Sequence, residues 1–174
     1  MALPGISDQA LNNKFSEVYQ GVLHVNDPSG LEGPYIAARL IMKLGPYVVD
    51  HKLGEVFTEA AGFILNPTTV YAPDVSFLRR DRVPYGATMK KFFPGAPDLA
   101  IEVLSQSDRF SAIRRKGLDY LDAGTQLVWI ITPHDYSATI LRAQGLEGRI
   151  GEDGMLDGEN VVPGFRCALH DLFA

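Results

Sequence analysis

Nine residues, Pro97-Asp-Leu-Ala-Ile-Glu-Val-Leu-Ser105, constrain this chain more than any other segment. They read as a short apolar strand with a carboxylate at its centre, and the run from Asp108 to Asp122 that follows has helical spacing. Side chains alternate along a strand, so Asp98, Ala100, Glu102 and Leu104 share one face. Leu99, Ile101, Val103 and Ser105 share the other, which is expected to meet a dry core. A carboxylate in so apolar a strand is costly unless it is paired or bound to a metal. Glu102 therefore requires either a basic neighbour or a cation.

Asp98 cannot readily share an ion with Glu102. Four strand steps separate them by roughly 13 Å, whereas magnesium–oxygen distances are about 2.1 Å. Asp98 also follows Pro97, where a turn or strand start is common. It is expected to cap the strand or to support the site from behind a ligand. The better partner for Glu102 is Asp74, in Ala72-Pro-Asp-Val-Ser-Phe77, if that segment forms the adjacent strand.

Lys116 passes a geometric test. Glu102 lies three steps back from Ser105, roughly 10 Å along the strand. A helix starting at Asp108 and folding back over the sheet carries Lys116 eight steps, roughly 12 Å. The two advances nearly cancel, which brings the ammonium within reach of the carboxylate. Asp108 is expected to cap the helix, with Ser105-Gln-Ser-Asp resembling a capping box. Phe110, Ile113, Gly117, Tyr120 and Leu121 supply the apolar stripe, and Lys116 sits on its margin. The bland alternative is a surface lysine that snorkels. Gly117 inside a helix points to close packing or to a nearby ligand.

Elsewhere the pattern is mixed. Residues 8–15 read as a short helix, and Glu17 to Val25 alternates around Gly21 as a hairpin or bent strand. Gly33 to about Leu44 has helical spacing; Gly45-Pro46 is expected either to interrupt or end it, or to kink it with Tyr47-Val-Val extending it beyond. Gly54 to Leu65 and Thr69 to Leu78 each read as strand, and Arg79 to Gly95 as a long basic loop of functional length. Gln126 to Thr132 is an apolar strand, Ala138 to Arg142 is expected to pair back as an edge strand, and 145–160 reads as turns with a short hairpin. No repeat, low-complexity tract or linker interrupts residues 1–174, so one domain is expected.

The net charge of −5 argues against a nucleic-acid partner until its distribution is considered. Between Arg79 and Lys116 there are nine basic and four acidic residues, a net of +5, which leaves −10 for the rest. Phosphate attraction follows the local field. Arg79, Arg80, Arg82, Lys90, Lys91, Arg109, Arg114 and Arg115 are the candidate phosphate contacts, with solvated surface as the alternative for each. No apolar run approaches the roughly 20 residues of a membrane span, and the N-terminus lacks the pattern of a signal peptide. One cysteine, Cys167, excludes an internal disulfide and a cysteine-only metal cage. His24, His51, His134 and His170 have no ligand spacing. The default compartment is cytoplasmic.

Two carboxylates on neighbouring strands beside a lysine are the minimal equipment for metal-assisted phosphodiester hydrolysis. The ordered segments Glu17-Val-Tyr-Gln-Gly-Val-Leu, Ala72-Pro-Asp-Val-Ser-Phe, Pro97-Asp-Leu-Ala-Ile-Glu-Val-Leu-Ser, Lys116, Tyr120, Gly124, Leu127-Val-Trp-Ile-Ile and Val162-Pro-Gly-Phe together resemble the Uma-two family of the PD-(D/E)XK nuclease superfamily. The resemblance implies an α/β (α+β), restriction endonuclease-like fold: a central mixed sheet flanked by helices, with an added N-terminal hairpin. It implies that Asp74 and Glu102, with the Val103 carbonyl, hold Mg2+ (or Mn2+ in its place), and that Lys116 replaces the usual lysine two residues after the acid. Leu104 occupies that usual position here. Asp98, Glu17 and Tyr120 are supporting candidates; Glu17 either matches the family's early acidic position or ends a strand. A histidine found near the start of the first long helix in relatives is replaced by Gly33-Pro-Tyr. The implied activity is a magnesium-dependent endonuclease acting on DNA, with RNA or branched DNA as other substrates and a homodimer as a possible assembly. The alternative is an inactive nucleic-acid-binding or assembly protein on the same scaffold.

Overall fold

The computed structural model describes residues 16–25 and 30–174. The helix expected over 8–15 lies outside the described residues. The N-terminal hairpin pairs β1 (Ser16–Tyr19) with β2 (Val22–Val25). Its two turn residues, Gln20 and Gly21, take φ of 49° and 79°. Positive φ at both central positions is what a two-residue hairpin needs to match the twist of its strands.

Helix α1 spans Glu32–Asp50 and runs through Gly45-Pro46 rather than ending there. Pro46 removes the N–H that would bond to Met42, but Leu44 and Val48 on either side of it are both fully buried. Packing at i and i+4 keeps the final turn helical. With Ile36, Ala37 and Leu40, they form the stripe that α1 lays on the main sheet.

The main sheet has six strands. In order they are β11 (Glu147–Ile150), β10 (Ser137–Arg142), β9 (Leu127–Thr132), β8 (Leu99–Val103), β6 (Val75–Arg79) and β3 (Gly54–Thr58). Only β8 and β9 run parallel; the other pairs are antiparallel. A parallel pair needs a crossover, and α2 (Phe110–Asp122) supplies it. Thus β10 is interior, not the edge strand its position after the Pro133 turn suggested, because β11 adds outside it. The two faces of β8 divide as alternation requires: Leu99, Ile101 and Val103 join the α1 core, while Ala100 and Leu104 join the α2 core around Tyr120.

A second sheet, in the order β2-β1-β5-β4-β7, adds β4 (Phe63–Asn66), β5 (Thr69–Tyr71) and β7 (Phe93–Pro94). Both long strand-like runs are therefore split between sheets. Gly54 to Leu65 breaks at a turn before Gly62 to give β3 and β4. Thr69 to Leu78 breaks at Ala72-Pro73-Asp74 to give β5 and β6. A short pair, β12 (Met155–Asp157) and β13 (Arg166–Ala168), closes the C-terminal region.

Candidate active site

The break between β5 and β6 puts Asp74 at the seam of the two sheets, beside the end of β8. Asp74 Oδ2 accepts the Val103 N–H at 2.7 Å. From β8, Glu102 enters the same space, and from the hairpin Glu17 does so. Helix α2 brings in Lys116, whose Nζ lies 2.8 Å from Glu17 Oε1 and 2.9 Å from Glu102 Oε1. Tyr120, one turn further along α2, donates its hydroxyl to the same Glu102 oxygen at 3.0 Å. Glu17 Oε1 also accepts the Ala72 N–H at 2.7 Å. The early acid is thus tied to both the hinge and the helix.

Close packing of α2 makes this reach possible. A Cβ at Gly117 would lie 2.8 Å from Leu141 Cδ1, so glycine lets the helix settle onto β9 and β10 next to Lys116. The helix start differs from the expected capping box. Asp108 Oδ2 accepts from the Ser105 N–H and hydroxyl, both at 2.8 Å, and so closes the β8–α2 turn. Arg109 takes the capping position, without a side-chain cap.

Three carboxylates against one ammonium leave a formal charge of −3 + 1 = −2 when all are ionised. Burial, opposed by Lys116 but reinforced by Asp74 and Glu17, raises the Glu102 carboxyl to about 8. Burial also raises Asp74 against the lowering effect of the Val103 N–H. Burial works to lower Lys116, yet Glu102 and Glu17 outweigh it and hold the ammonium above its ordinary value. Tyr120 is raised well above its usual range by burial and by the Glu102 charge. The cluster therefore retains protons for want of positive charge.

Asp74 Oδ1 and Glu102 Oε2 have no hydrogen-bond partner among the described residues. Two half-used carboxylates in an electron-rich, largely buried site fit a small divalent cation. No group of three or more His, Cys, Asp or Glu side chains able to hold a metal ion occurs among the described residues. A cation here would draw on two carboxylates only, with backbone oxygen and water to complete the kind of partial shell magnesium accepts.

The other sequence candidates fall elsewhere. Asp98 accepts the Arg79 N–H at 2.9 Å and pairs with Arg82 at 2.8 Å, while Arg82 also donates to the Ala96 carbonyl. This ties the start of the basic loop to the start of β8 and explains why Asp98 is buried. It also commits Arg82 to the protein. Arg79 lies near Asp81, Arg114 pairs with Glu147, and Arg115 pairs with Asp119. Arg80, Lys90, Lys91 and Arg109 are exposed and make no ion pair among the described residues.

Sequence reasoning missed Tyr71 and Asp119. Tyr71 donates its hydroxyl to Asp119 Oδ2 at 2.9 Å, and its ring lies 5.4 Å from Lys116 Nζ. The available signal was the position of Asp119, three residues after Lys116 on one helix face.

A mixed sheet between two helices, with acids at its seam and a lysine arriving on the crossover helix, defines a restriction endonuclease-like α+β fold. Residues 8–170 match the family Uma2, described as "Putative restriction endonuclease", and the chain belongs to that family. Among solved structures, a "putative nuclease belonging to DUF820 from Anabaena variabilis ATCC 29413" is similar at 22% identity and a TM-score of 0.80, covering 91% of this chain and 89% of that one. No curated protein matches the sequence.

Proposed function

We propose that the protein is a divalent-metal-dependent endonuclease that hydrolyses DNA phosphodiester bonds at the Asp74–Glu102–Lys116 cluster. One observation carries this reading: Lys116 reaches Glu102 from a different element, while oxygens of Asp74 and Glu102 remain unpartnered beside it. Asp74, Glu102 and the Val103 carbonyl would hold the cation. When bound, Mg2+ or Mn2+ supplies a more acidic water and charge stabilisation at the phosphate.

The chain's own groups have distinct tasks. Lys116, kept protonated by two carboxylates, presents a fixed positive charge where negative charge builds on the phosphoryl oxygens. Tyr120 and Lys116 together hold one Glu102 oxygen, which fixes the direction of the other. Glu17 anchors the lysine and ties it to the hinge before Asp74. The exposed Arg80, Lys90, Lys91 and Arg109 are available to phosphates flanking the cleaved bond.

Cleavage of plasmid, single-stranded DNA and RNA with Mg2+, Mn2+ or EDTA tests the proposal against Glu102→Gln. The wild type should cut DNA only with metal, and the variant should lose at least about a thousandfold. Strong salt-dependent binding with equal, metal-independent inactivity of both proteins would support the scaffold role instead.

A further inference from the structure

A pocket of about 500 Å³ lies beyond the first turn of α2, over the β9–β10–β11 end of the main sheet. Its wall includes Phe110, and its base includes Thr132 and Thr139. Both threonines are only 5% exposed, yet neither hydroxyl has a hydrogen-bond partner among the described residues. Neither hydroxyl is among the fully buried unpartnered side-chain atoms, which are Ser76 Oγ and Trp129 Nε1 among the described residues, so both keep access to the cavity and are free to bond to what enters it. Phe110 is 40% exposed, an unusual position for a phenylalanine that also belongs to the helix's apolar stripe. On the far side, Asp135 and Arg149 pair with each other and with Ser137, which provides a polar, near-neutral rim.

The pocket and the acidic cluster lie on the same face of the same sheet. Register aligns Glu102 with Ile130, Ile130 with Thr139, and Thr139 with Arg149. Thr139 is therefore two strands from Glu102, roughly 10 Å across the sheet, with α2 passing between them. Because Gly117 seats α2 directly on β9 and β10, a strand joining the two sites passes around the helix. An aromatic wall with neutral hydroxyls behind it suits a flat, uncharged ring with donor and acceptor edges. It suits a phosphate poorly, because Asp135 and Glu147 also line the pocket.

We infer that this pocket receives an unpaired nucleobase of the substrate, stacked on Phe110 and hydrogen-bonded by Thr132 and Thr139, while backbone further along the same strand lies at the acidic cluster. Recognition of this kind would favour single-stranded, mismatched or locally opened DNA. The inference rests on the nucleic-acid-cleaving reading of that cluster.

Thr139→Val and Phe110→Ala, each introduced into Glu102→Gln, test it through equilibrium binding of two oligonucleotides of equal length, one fully based and one abasic at its central nucleotides. Both variants should weaken the based oligonucleotide at least about fivefold, as loss of a stacked or hydrogen-bonded base does, and should leave the abasic one unchanged. Thr139→Val should also keep the parent's melting temperature, because the hydroxyl it removes bonds to no described residue. Unchanged affinity for the based oligonucleotide, or equal losses for both, would overturn the inference. If the wild type still cleaves DNA, that result leaves the nuclease reading standing. If the parent binds neither oligonucleotide and the wild type cleaves nothing, both readings fall together.

Discussion

At the scale of single residues, the most consequential contact is Lys116 between Glu17 and Glu102. Lys116→Met would leave two largely buried carboxylates without their cation. In metal-free buffer at pH 8 that should cost about 3–5 kcal/mol by urea denaturation, and less at pH 5, where the Glu102 carboxyl keeps its proton. Glu102 makes a second pH-dependent statement. Its folded value of about 8 lies above the ordinary 4.5, so the folded state holds a proton that the unfolded chain releases between these values. This stabilising contribution is complete below pH 4.5 and is lost as pH rises through 8. The stability of metal-free wild type relative to Glu102→Gln should therefore fall by a few kcal/mol over that window. Added Mg2+ should restore it most at the alkaline end. Asp98 differs in kind: its bonds go to Arg82 and the Arg79 backbone. Asp98→Ala should destabilise by about 2–4 kcal/mol while the folded fraction retains most of its cleavage rate.

At the scale of elements, the site depends on one hinge and one helix. Strand alternation placed Glu102 on the α2 face, and strand and helix advances placed Lys116 opposite it. Both could be read because they follow from fixed repeats over short distances. The division of Thr69–Leu78 into β5 and β6 could not, since Val70, Tyr71, Val75 and Phe77 are all buried and no exposed residue separates the two halves. Only Pro73 marks the break, and proline does not say which sheet each half joins. The same holds for Gly54–Leu65. Gly54 carries a precise constraint of its own: a Cβ there would sit 1.9 Å from the Leu78 carbonyl oxygen. Gly54→Ala should lift the start of β3 from the end of β6 and cost about 1–3 kcal/mol in denaturant unfolding, with the Asp74–Glu102–Lys116 cluster near the opposite end of β6 less affected. Pro46 shows the opposite lesson, because buried Leu44 and Val48 override a local helix breaker.

At the scale of the whole molecule, two sheets meet at the seam where Asp74, Glu102 and Glu17 gather, and no described helix is long and apolar enough to cross a membrane. The overall charge of −5 hides a basic middle segment. The structure narrows that segment, since Arg82, Arg114 and Arg115 are held by Asp98, Glu147 and Asp119. If Lys90 and Lys91 both meet phosphates, replacing them with alanine should reduce the salt dependence of single-stranded DNA binding by about 0.7 per lost contact in log–log slope.

The proposed function turns on a cation held between the hinge acid Asp74 and the strand acid Glu102, with Lys116 at its side. A crystal structure of the protein soaked with Mn2+, read from the metal's anomalous scattering, tests that directly. One manganese peak between Asp74 and Glu102, with Lys116 within a few ångströms, is expected, and no peak there in Glu102→Gln. Manganese bound only elsewhere, with Asp74 and Glu102 still facing Val103, Lys116 and Tyr120 alone, would contradict it.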